Sequence, residues 1–487
     1  MNYLSRISKI YKNLPLPAKA SFWFLICSFL QKAISTITTP IFTRLLSVSE
    51  YGQYSIFNSW LQILTPIICL NLFSGVYSQG IVKFESDRNR FSSSLQGLCL
   101  TLSLIWFLVY CLIKDFWDSL FSLNTTQMIS MFIIIWVTAS FNFWSMDQRV
   151  DFKYKNLVLL TLISSILQPI VSIILIVNSE DKVTARIVGI AIVQLVLYIG
   201  TFIYQMIKGK TFFSRRYWSY ALKFNVPLLP HYLSLTLLSS SDRIMISNMV
   251  GAEEAGIYNL AYSISMIMSM FNTALLQSIE PWIYRKLKER NPQDIAKIAY
   301  PSFILIAGIN LVLILFAPEI VSFFAPKEYQ EAIWSIPAVT LSVFFTYLYT
   351  FFATFEFYFE KTNYIAGATI IGAIINIVLN FIFINIFGYI AAGYTTLFSY
   401  ILFAICHYYF MQKICDTYLE GVHPYNLKFI IWISILSVVI GFMIMFTYDY
   451  ILVRYSLVLI CIVIMIYFRH KIFHYLKYLL HLKNRGV

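Results

Sequence analysis

The chain has 487 residues, of which 59% are hydrophobic and 12% charged, and a net charge of +13. A soluble protein carries roughly 25% charged residues, so the composition excludes a soluble globular enzyme and a disordered chain. The apolar residues come in long runs such as Ile430 to Phe446, unlike the alternating segments of a transmembrane β-barrel. What remains is an all-α polytopic membrane protein.

In chain order, residues 1–20 form a cytoplasmic N-terminal segment. Leu4, Ile7, Ile10 and Leu14 fall at helical spacing opposite Arg6, Lys9 and Lys12. This pattern fits an interfacial helix and equally an ordinary basic flank. The first span, 21–43, is too long for a signal-peptide core and holds Lys32 at its middle, so it is expected to be retained. Further spans are predicted over 54–79, 93–113, 128–145, 157–177, 186–207, 225–248, 257–279, 299–317, 333–357, 364–387, 390–411, 429–447 and 451–468. That makes about fourteen, each near the ~20 residues that cross ~30 Å of hydrocarbon.

With an even number of spans, both termini share one side. That side, with the even-numbered loops, holds 28 Lys and Arg; the opposite side holds 6, leaving Lys32 and Arg243 within spans. The basic side is cytoplasmic by the positive-inside rule. The predicted domains are an N-lobe of spans 1–6 (21–207), a basic linker (208–224), a C-lobe of spans 7–12 (225–411), and spans 13–14 with a basic tail (412–487).

An internal repeat supports two lobes. Arg44-Leu-Leu-Ser-Val-Ser-Glu-Tyr-Gly-Gln-Tyr54 aligns without a gap on Asn248-Met-Val-Gly-Ala-Glu-Glu-Ala-Gly-Ile-Tyr258, at an offset of 204 residues. Six spans separate the copies, so both have one orientation. This predicts two six-helix lobes related by an axis along the membrane normal, with the substrate path between them.

Polar residues concentrate on the first hairpin of each lobe. Span 1 carries Ser28, Lys32, Ser35, Thr36, Thr39 and Thr43 at helical spacing, and span 2 carries Ser55, Asn58, Ser59, Gln62 and Thr65. Span 7 has His231, Ser234, Ser241, Asp242 and Arg243. Span 8 has Tyr258, Tyr262, Ser265, Ser269, Asn272, Thr273 and Glu280. Such stripes face either a water-filled cavity or other helices. Serine and threonine fit helix packing better; a stripe containing Lys32 fits the cavity better.

The cavity candidates for substrate binding are Lys32, Ser35, Thr36, Thr39, Asn58, Gln62, His231, Arg243 and Asn272. A mid-membrane Lys costs on the order of 2.5–3.5 kcal/mol. Lys32 therefore calls for an anion such as a pyrophosphate or an acidic sugar, for a carboxylate such as Glu356, or for water. Arg243 suits a phosphate gripped bidentately. Asp242 is a candidate proton or sodium site, the alternative being a structural ion pair. Glu356 is a second ion-coupling candidate: with Glu360 at i, i+4 it places two carboxylates on one face, although Lys361 is near enough to neutralise them. For His231, hydrogen-bonded packing is the simpler reading over a proton switch.

Pro40, Pro66, Pro169, Pro227, Pro230 and Pro337 are expected to interrupt spans. The seven cysteines are odd in number and have no C-x-x-C spacing, so they read as small core residues, with no metal and no cofactor implied. There is no P-loop, H-E-x-x-H or G-x-S-x-G, and the loops are short, so no enzyme chemistry is predicted.

An ordered set of segments carries a family likeness. They are Thr39-Pro-Ile-Phe-Thr-Arg-Leu-Leu-Ser-Val-Ser-Glu-Tyr-Gly-Gln-Tyr-Ser, Asn225-Val-Pro-Leu-Leu-Pro, Asp242-Arg243-Ile-Met-Ile, Ala255-Gly-Ile-Tyr-Asn-Leu-Ala-Tyr, Ala317-Pro-Glu-Ile and Tyr329-Gln-Glu-Ala. The set resembles Wzx-type O-antigen flippases, in the polysaccharide branch of the multidrug/oligosaccharidyl-lipid/polysaccharide exporter superfamily. The resemblance implies two six-helix lobes in a V around a cationic central cavity lined by spans 1, 2, 7 and 8, with Lys32 and Arg243 matching its cationic residues. The implied substrate is an oligosaccharide repeat unit on undecaprenyl pyrophosphate, moved from the inner to the outer leaflet of a bacterial inner membrane by alternating access. The sequence leaves coupling open among proton, sodium and membrane potential, and leaves open whether the chain works alone or beside a polysaccharide polymerase and chain-length regulator. No nucleic acid is expected despite the charge.

Within the same superfamily, a drug exporter is expected to prefer acidic cavity residues, and a lipid II flippase more basic residues in span 1. A major-facilitator transporter would show G-x-x-x-D-R-x-G-R, which Gly80 and Asp87-Arg88-Asn-Arg90 do not reproduce. A non-transporting scaffold of a polysaccharide assembly is the alternative from another class.

Overall fold

The computed structural model describes residues 15–460 together with 467 and 469. Most of the N-terminal segment, the end of span 14 and most of the basic tail lie outside the described residues. Every described element is helical, and the chain divides into two compact units at Ser240/Ser241.

The first unit contains α1 (Leu16–Leu45), α2 (Val48–Cys69), α3 (Gly75–Lys83), α4 (Arg88–Leu112), α5 (Lys114–Phe121), α6 (Thr125–Val150), α7 (Tyr154–Val177), α8 (Lys182–Gly209), α9 (Arg215–Asn225) and the start of α10 (Leu229–Met249). The second has the rest of α10, α11 (Ala252–Ser265), α12 (Ile267–Lys288), α13 (Ala296–Leu315), α14 (Ala317–Phe324), α15 (Ile336–Tyr358), α16 (Thr362–Phe387), α17 (Ala391–Tyr418) and α18 (Leu427–Met445). A shorter apolar helix, α19 (Ile451–Ile460), follows.

Among the described residues, each predicted span falls largely on helix. Among the described residues, nine helices are long and apolar enough to cross a membrane unaided. Those outside that set include α2, α10, α11 with α12, and α17. All but α17 correspond to spans 2, 7 and 8, whose polar stripes lower their hydropathy. A polar helix is tolerated in a bilayer only where neighbours or water cover its polar face.

Three expectations are corrected. Span 2 does not run to residue 79: α2 ends at Cys69, Leu70 and Asn71 adopt left-handed backbone, and α3 begins anew at Gly75. The buried Asn225 amide donates to the Leu70 carbonyl at 2.7 Å, satisfying a carbonyl freed by that turn. Span 8 breaks at Met266 into α11 and α12. Among the prolines, Pro227, Pro230 and Pro337 sit at helix starts, where the missing N–H costs nothing. Pro40, Pro66 and Pro169 are internal, as are Pro281 and Pro301, which were not singled out.

The first unit is organised around α8, against which α4, α6 and α7 pack, while α1 lies on α7. Its core is aromatic: Tyr77 stacks on Phe91 at 5.8 Å and meets Phe143 edge-on at 4.7 Å, and Phe91 meets Tyr217 at 5.5 Å. Tyr217 belongs to the amphipathic α9, so the basic segment after α8 is a docked helix. The approach to α4 is close at Gly97, where a Cβ would stand 2.2 Å from the Phe212 carbonyl oxygen. Gly97→Ala is accordingly expected to force the 210–214 backbone away from α4. Overpacking of this kind costs ~1–3 kcal/mol, readable as a lower melting temperature of the purified protein; an unchanged melting curve would show that the segment is free to move.

The second unit is built on α15, which packs against α17, α13, α11 and α12. Its sequence explains this. Every residue from Ile336 to Phe345 is buried, and at ~100° per residue that run covers all sides of the helix. A helix apolar on every side belongs inside a bundle.

The two copies of the repeat each place a Glu in the first turn of a helix. Ser47 caps α2, its hydroxyl accepting from the Glu50 N–H at 3.2 Å while Glu50 Oε2 accepts from the Ser47 N–H at 2.7 Å. At the aligned position Gly251 precedes α11, and Glu254 folds back so that a Cβ on Gly251 would lie 2.4 Å from its Oε2. The shared Glu is thus a first-turn carboxylate at a helix N-terminus, where the helix dipole favours it.

Candidate functional site

In the first unit, all the candidates but His231 lie on the polar stripes of α1 and α2. Lys32 is exposed on α1 and, among the described residues, pairs with no carboxylate of its own unit. Thr36 and Thr39 donate back to the carbonyls of Lys32 and Ser35 at 2.9 and 3.0 Å, so these hydroxyls are satisfied within the helix. Ser35, one turn from Lys32, is exposed. On α2, Asn58 and Gln62 are exposed one turn apart, and Gln62 Oε1 accepts from the Ser240 hydroxyl at 3.3 Å. His231, at the start of α10, is half-buried, and its Nδ1 has no hydrogen-bond partner among the described residues.

In the second unit, the polar residues are gathered inward. Asp242 is 1% exposed and accepts three hydrogen bonds. The Asn380 amide donates to Oδ1 at 2.7 Å; the Tyr258 and Thr396 hydroxyls donate to Oδ2, each at 2.9 Å. A second layer orients the first. Thr395 donates to Asn380 Oδ1, the Asn380 amide also reaches Asn376 Oδ1 at 3.2 Å, and the Asn376 amide reaches Thr396 and Ser399 at 3.3 and 3.4 Å. Four helices, α10, α11, α16 and α17, thus converge on one carboxylate. Arg243, next to it and buried, lays its guanidinium over the Tyr262 ring at 3.9 Å.

Asn272 is buried on α12 and donates to the Val343 carbonyl of α15 at 3.0 Å. Glu356 corrects an expectation. It does not share a helix face with Glu360, because α15 ends at Tyr358 and Glu360 is in left-handed backbone. Nor does Lys361 neutralise it, since that ammonium lies over Tyr418 at 5.1 Å. The partner of Glu356 is His407 of α17, at 2.7 Å.

Sequence reasoning therefore missed Asn376, Asn380, Thr395, Thr396 and His407. A signal existed for two of them: Asn376 and Asn380 stand at i, i+4 in one of the most apolar helices, so they share a face that must be covered. The cluster has no counterpart across the repeat. At the offset of 204, Asp242 and Arg243 fall on Thr38 and Thr39, while Tyr54, aligned with Tyr258, meets the Arg186 guanidinium at 3.5 Å.

The donor set is oxygen-rich and holds one carboxylate, which suits a small hard cation or a proton and offers no nucleophile or general-base pair. Among the described residues, no group of three His, Cys, Asp or Glu side chains converges as a metal site.

Comparison with known proteins places this geometry. Residues 18–287 match a family model described as polysaccharide biosynthesis protein, and residues 227–382 match the MatE family. An uncharacterized membrane protein of Haemophilus influenzae is 22% identical over 366 residues, spanning 73% of this chain and 88% of its own length. Among solved structures, an inward-facing multidrug resistance MATE transporter of the MOP superfamily superimposes with a TM-score of 0.62 at 15% identity, covering 80% of this chain and 96% of that one. The lipid II flippase MurJ, in an inward closed conformation, gives 0.62 at 18% identity, covering 87% and 98%. These two likenesses establish a shared polytopic membrane fold.

Proposed function

The chain belongs to the polysaccharide biosynthesis protein family, and from that premise we propose that it flips undecaprenyl-pyrophosphate-linked oligosaccharide repeat units from the inner to the outer leaflet of a bacterial inner membrane. Family and fold are those of multi-pass membrane transporters. One observation carries the substrate choice: Lys32 stands mid-helix on a polar stripe, exposed, and among the described residues no carboxylate of its own unit pairs with it. A cation held there at a cost of a few kcal/mol fits a site that receives an anion, and a pyrophosphate is that anion in a lipid-linked sugar. Unaided passage of the charged head group through hydrocarbon would be prohibitive.

In this reading Ser35, Asn58, Gln62, His231 and Arg243 add hydrogen bonds or charge along the path, and Asp242 binds the coupling cation. The lobes are 21–207 and 225–411, both termini are cytoplasmic by the bias of basic residues, and a polymerase receives the product outside.

The test is a deletion strain complemented with wild-type or Lys32→Ala protein, followed by extraction of undecaprenyl-pyrophosphate-linked sugars and a leaflet-sidedness assay. A complete repeat unit is expected to accumulate in the cytoplasmic leaflet, relieved by wild type and at least tenfold less by Lys32→Ala. Normal surface polysaccharide without accumulation, in a strain lacking a second flippase, overturns the proposal in favour of drug export. Accumulation of lipid II in place of the repeat unit reassigns the substrate.

A further inference from the structure

Among the described residues the Glu356–His407 pair shares no hydrogen bond with the Asp242 cluster, and of its two members only Glu356 is among the ion-coupling candidates of the sequence. Glu356 is 0% and His407 1% exposed, and His407 Nδ1 lies 2.7 Å from Glu356 Oε1. The other two polar atoms, Glu356 Oε2 and His407 Nε2, have no hydrogen-bond partner among the described residues. The imidazole is fixed by aromatic rings: Tyr349 stacks on it at 5.3 Å and Phe403 meets it edge-on at 4.5 Å.

The surroundings leave the pair to itself. The titratable neighbours are Tyr349 on α15 and Cys406 beside His407 on α17, both ordinarily neutral. Among the described residues, no charged side chain of α11, α12, α13, α16 or α18 pairs with either member. Lys361, close in sequence, is turned onto Tyr418. Two ligands alone do not make a metal site.

We infer that Glu356 and His407 form a proton-binding site, which takes up one exchangeable proton as a pair and whose occupancy sets how α15 packs against α17. Carboxylate with neutral imidazole carries one net negative charge. One proton drawn from water makes the pair neutral, whether it rests on the ring or on the carboxyl. A buried net charge with unsatisfied atoms is costly, whereas a neutral hydrogen-bonded pair is tolerated. The packing of α15 on α17 therefore favours the loaded pair, and release of the proton calls for water at Glu356 Oε2 or His407 Nε2, which requires those helices to part. Within the transport reading, on which this inference rests, the pair supplies a proton as a coupling ion separate from the cation at Asp242.

Proton binding is measured without substrate, so its failure is distinguishable from failure of the flippase reading. Purified full-length protein in lipid nanodiscs is stepped between mildly acidic and alkaline pH in weak buffer, and exchanged protons are counted with an indicator dye. Glu356→Gln and His407→Gln are each expected to exchange about one proton fewer per chain than wild type, while Asp242→Asn keeps the pair's proton. Equal counts in wild type and both Gln variants overturn the inference. Should the Gln variants fail to fold, 15N-histidine spectra of the wild type decide it. A water-shielded histidine ring whose nitrogen shifts follow pH supports the site; no shielded ring that follows pH overturns it.

Discussion

Asp242→Leu is expected to unfold the second unit at a markedly lower temperature and to abolish transport. The substitution removes the acceptor for Asn380, Tyr258 and Thr396 together. Each buried group left without a partner costs ~1–3 kcal/mol. The three share one network, so the costs do not simply add, and rearrangement through Asn376 and Ser399 recovers part; ~3–5 kcal/mol is the expected total. Arg243 also loses the adjacent carboxylate that offsets its buried charge. Asp242→Asn separates stability from function. It keeps the shape but sets an amide N–H against one of three donors, so a smaller drop in melting temperature is expected. Transport is nevertheless expected to fall at least tenfold, because the negative charge that holds a cation is gone. Undiminished leaflet translocation by Asp242→Asn would remove cation coupling from this residue. An unaltered melting curve for Asp242→Leu would show that the three donors find other partners.

The same residue marks how far the sequence could be read. That Asp242 is exceptional follows from its being the single carboxylate of a predicted span, where an unsatisfied charge is too costly to be incidental. Its partners do not follow as easily. Asn376 and Asn380 are spaced to share a face, but which helix that face meets is set by tertiary packing, and Thr396 is 154 residues from Asp242. His407 was invisible for the same reason: Glu360 and Lys361 are its rivals for Glu356 in sequence, and only the end of α15 at Tyr358 removes them. Helix existence and type were legible from run length and hydropathy, because hydrocarbon thickness sets both. The breaks at Leu70 and Met266 were not. Periodicity continues across them, and their signals are weak: an Asn that tolerates left-handed backbone at Asn71, and no Gly or Pro beside Met266.

Arg88→Leu is the second substitution with a large expected effect, and it concerns a residue that stands out in the sequence only within Asp87-Arg88-Asn-Arg90, which does not reproduce the major-facilitator signature. At the start of α4, Arg88 reaches Asp147 Oδ1 through Nη2 at 3.1 Å and Asp151 Oδ1 through Nη1 at 2.6 Å, and Nη2 also donates to the Asp147 carbonyl at 3.1 Å. Asp147 Oδ2 in turn accepts from Gln205 of α8, which also donates to Tyr77 of α3 at 3.1 Å and accepts from Gln96 of α4 at 2.7 Å. One guanidinium thus anchors a network across α3, α4, α6 and α8. Its loss leaves Asp147 without a cation and Asp151 with only the exposed Lys153 ammonium, 2.8 Å from its Oδ2. For a fully buried pair, removing one partner costs ~3–5 kcal/mol. Asp147 and Asp151 are 17% and 31% exposed, so water relieves part and roughly 2–3 kcal/mol is expected. Arg88→Lys is expected to recover less than half, because an ammonium restores the charge but not the fork that spans two carboxylates and a carbonyl. Melting curves of the three proteins in the same detergent check both statements. Lysine restoring wild-type stability would mean that charge alone, without the directed hydrogen bonds, holds these four helices together.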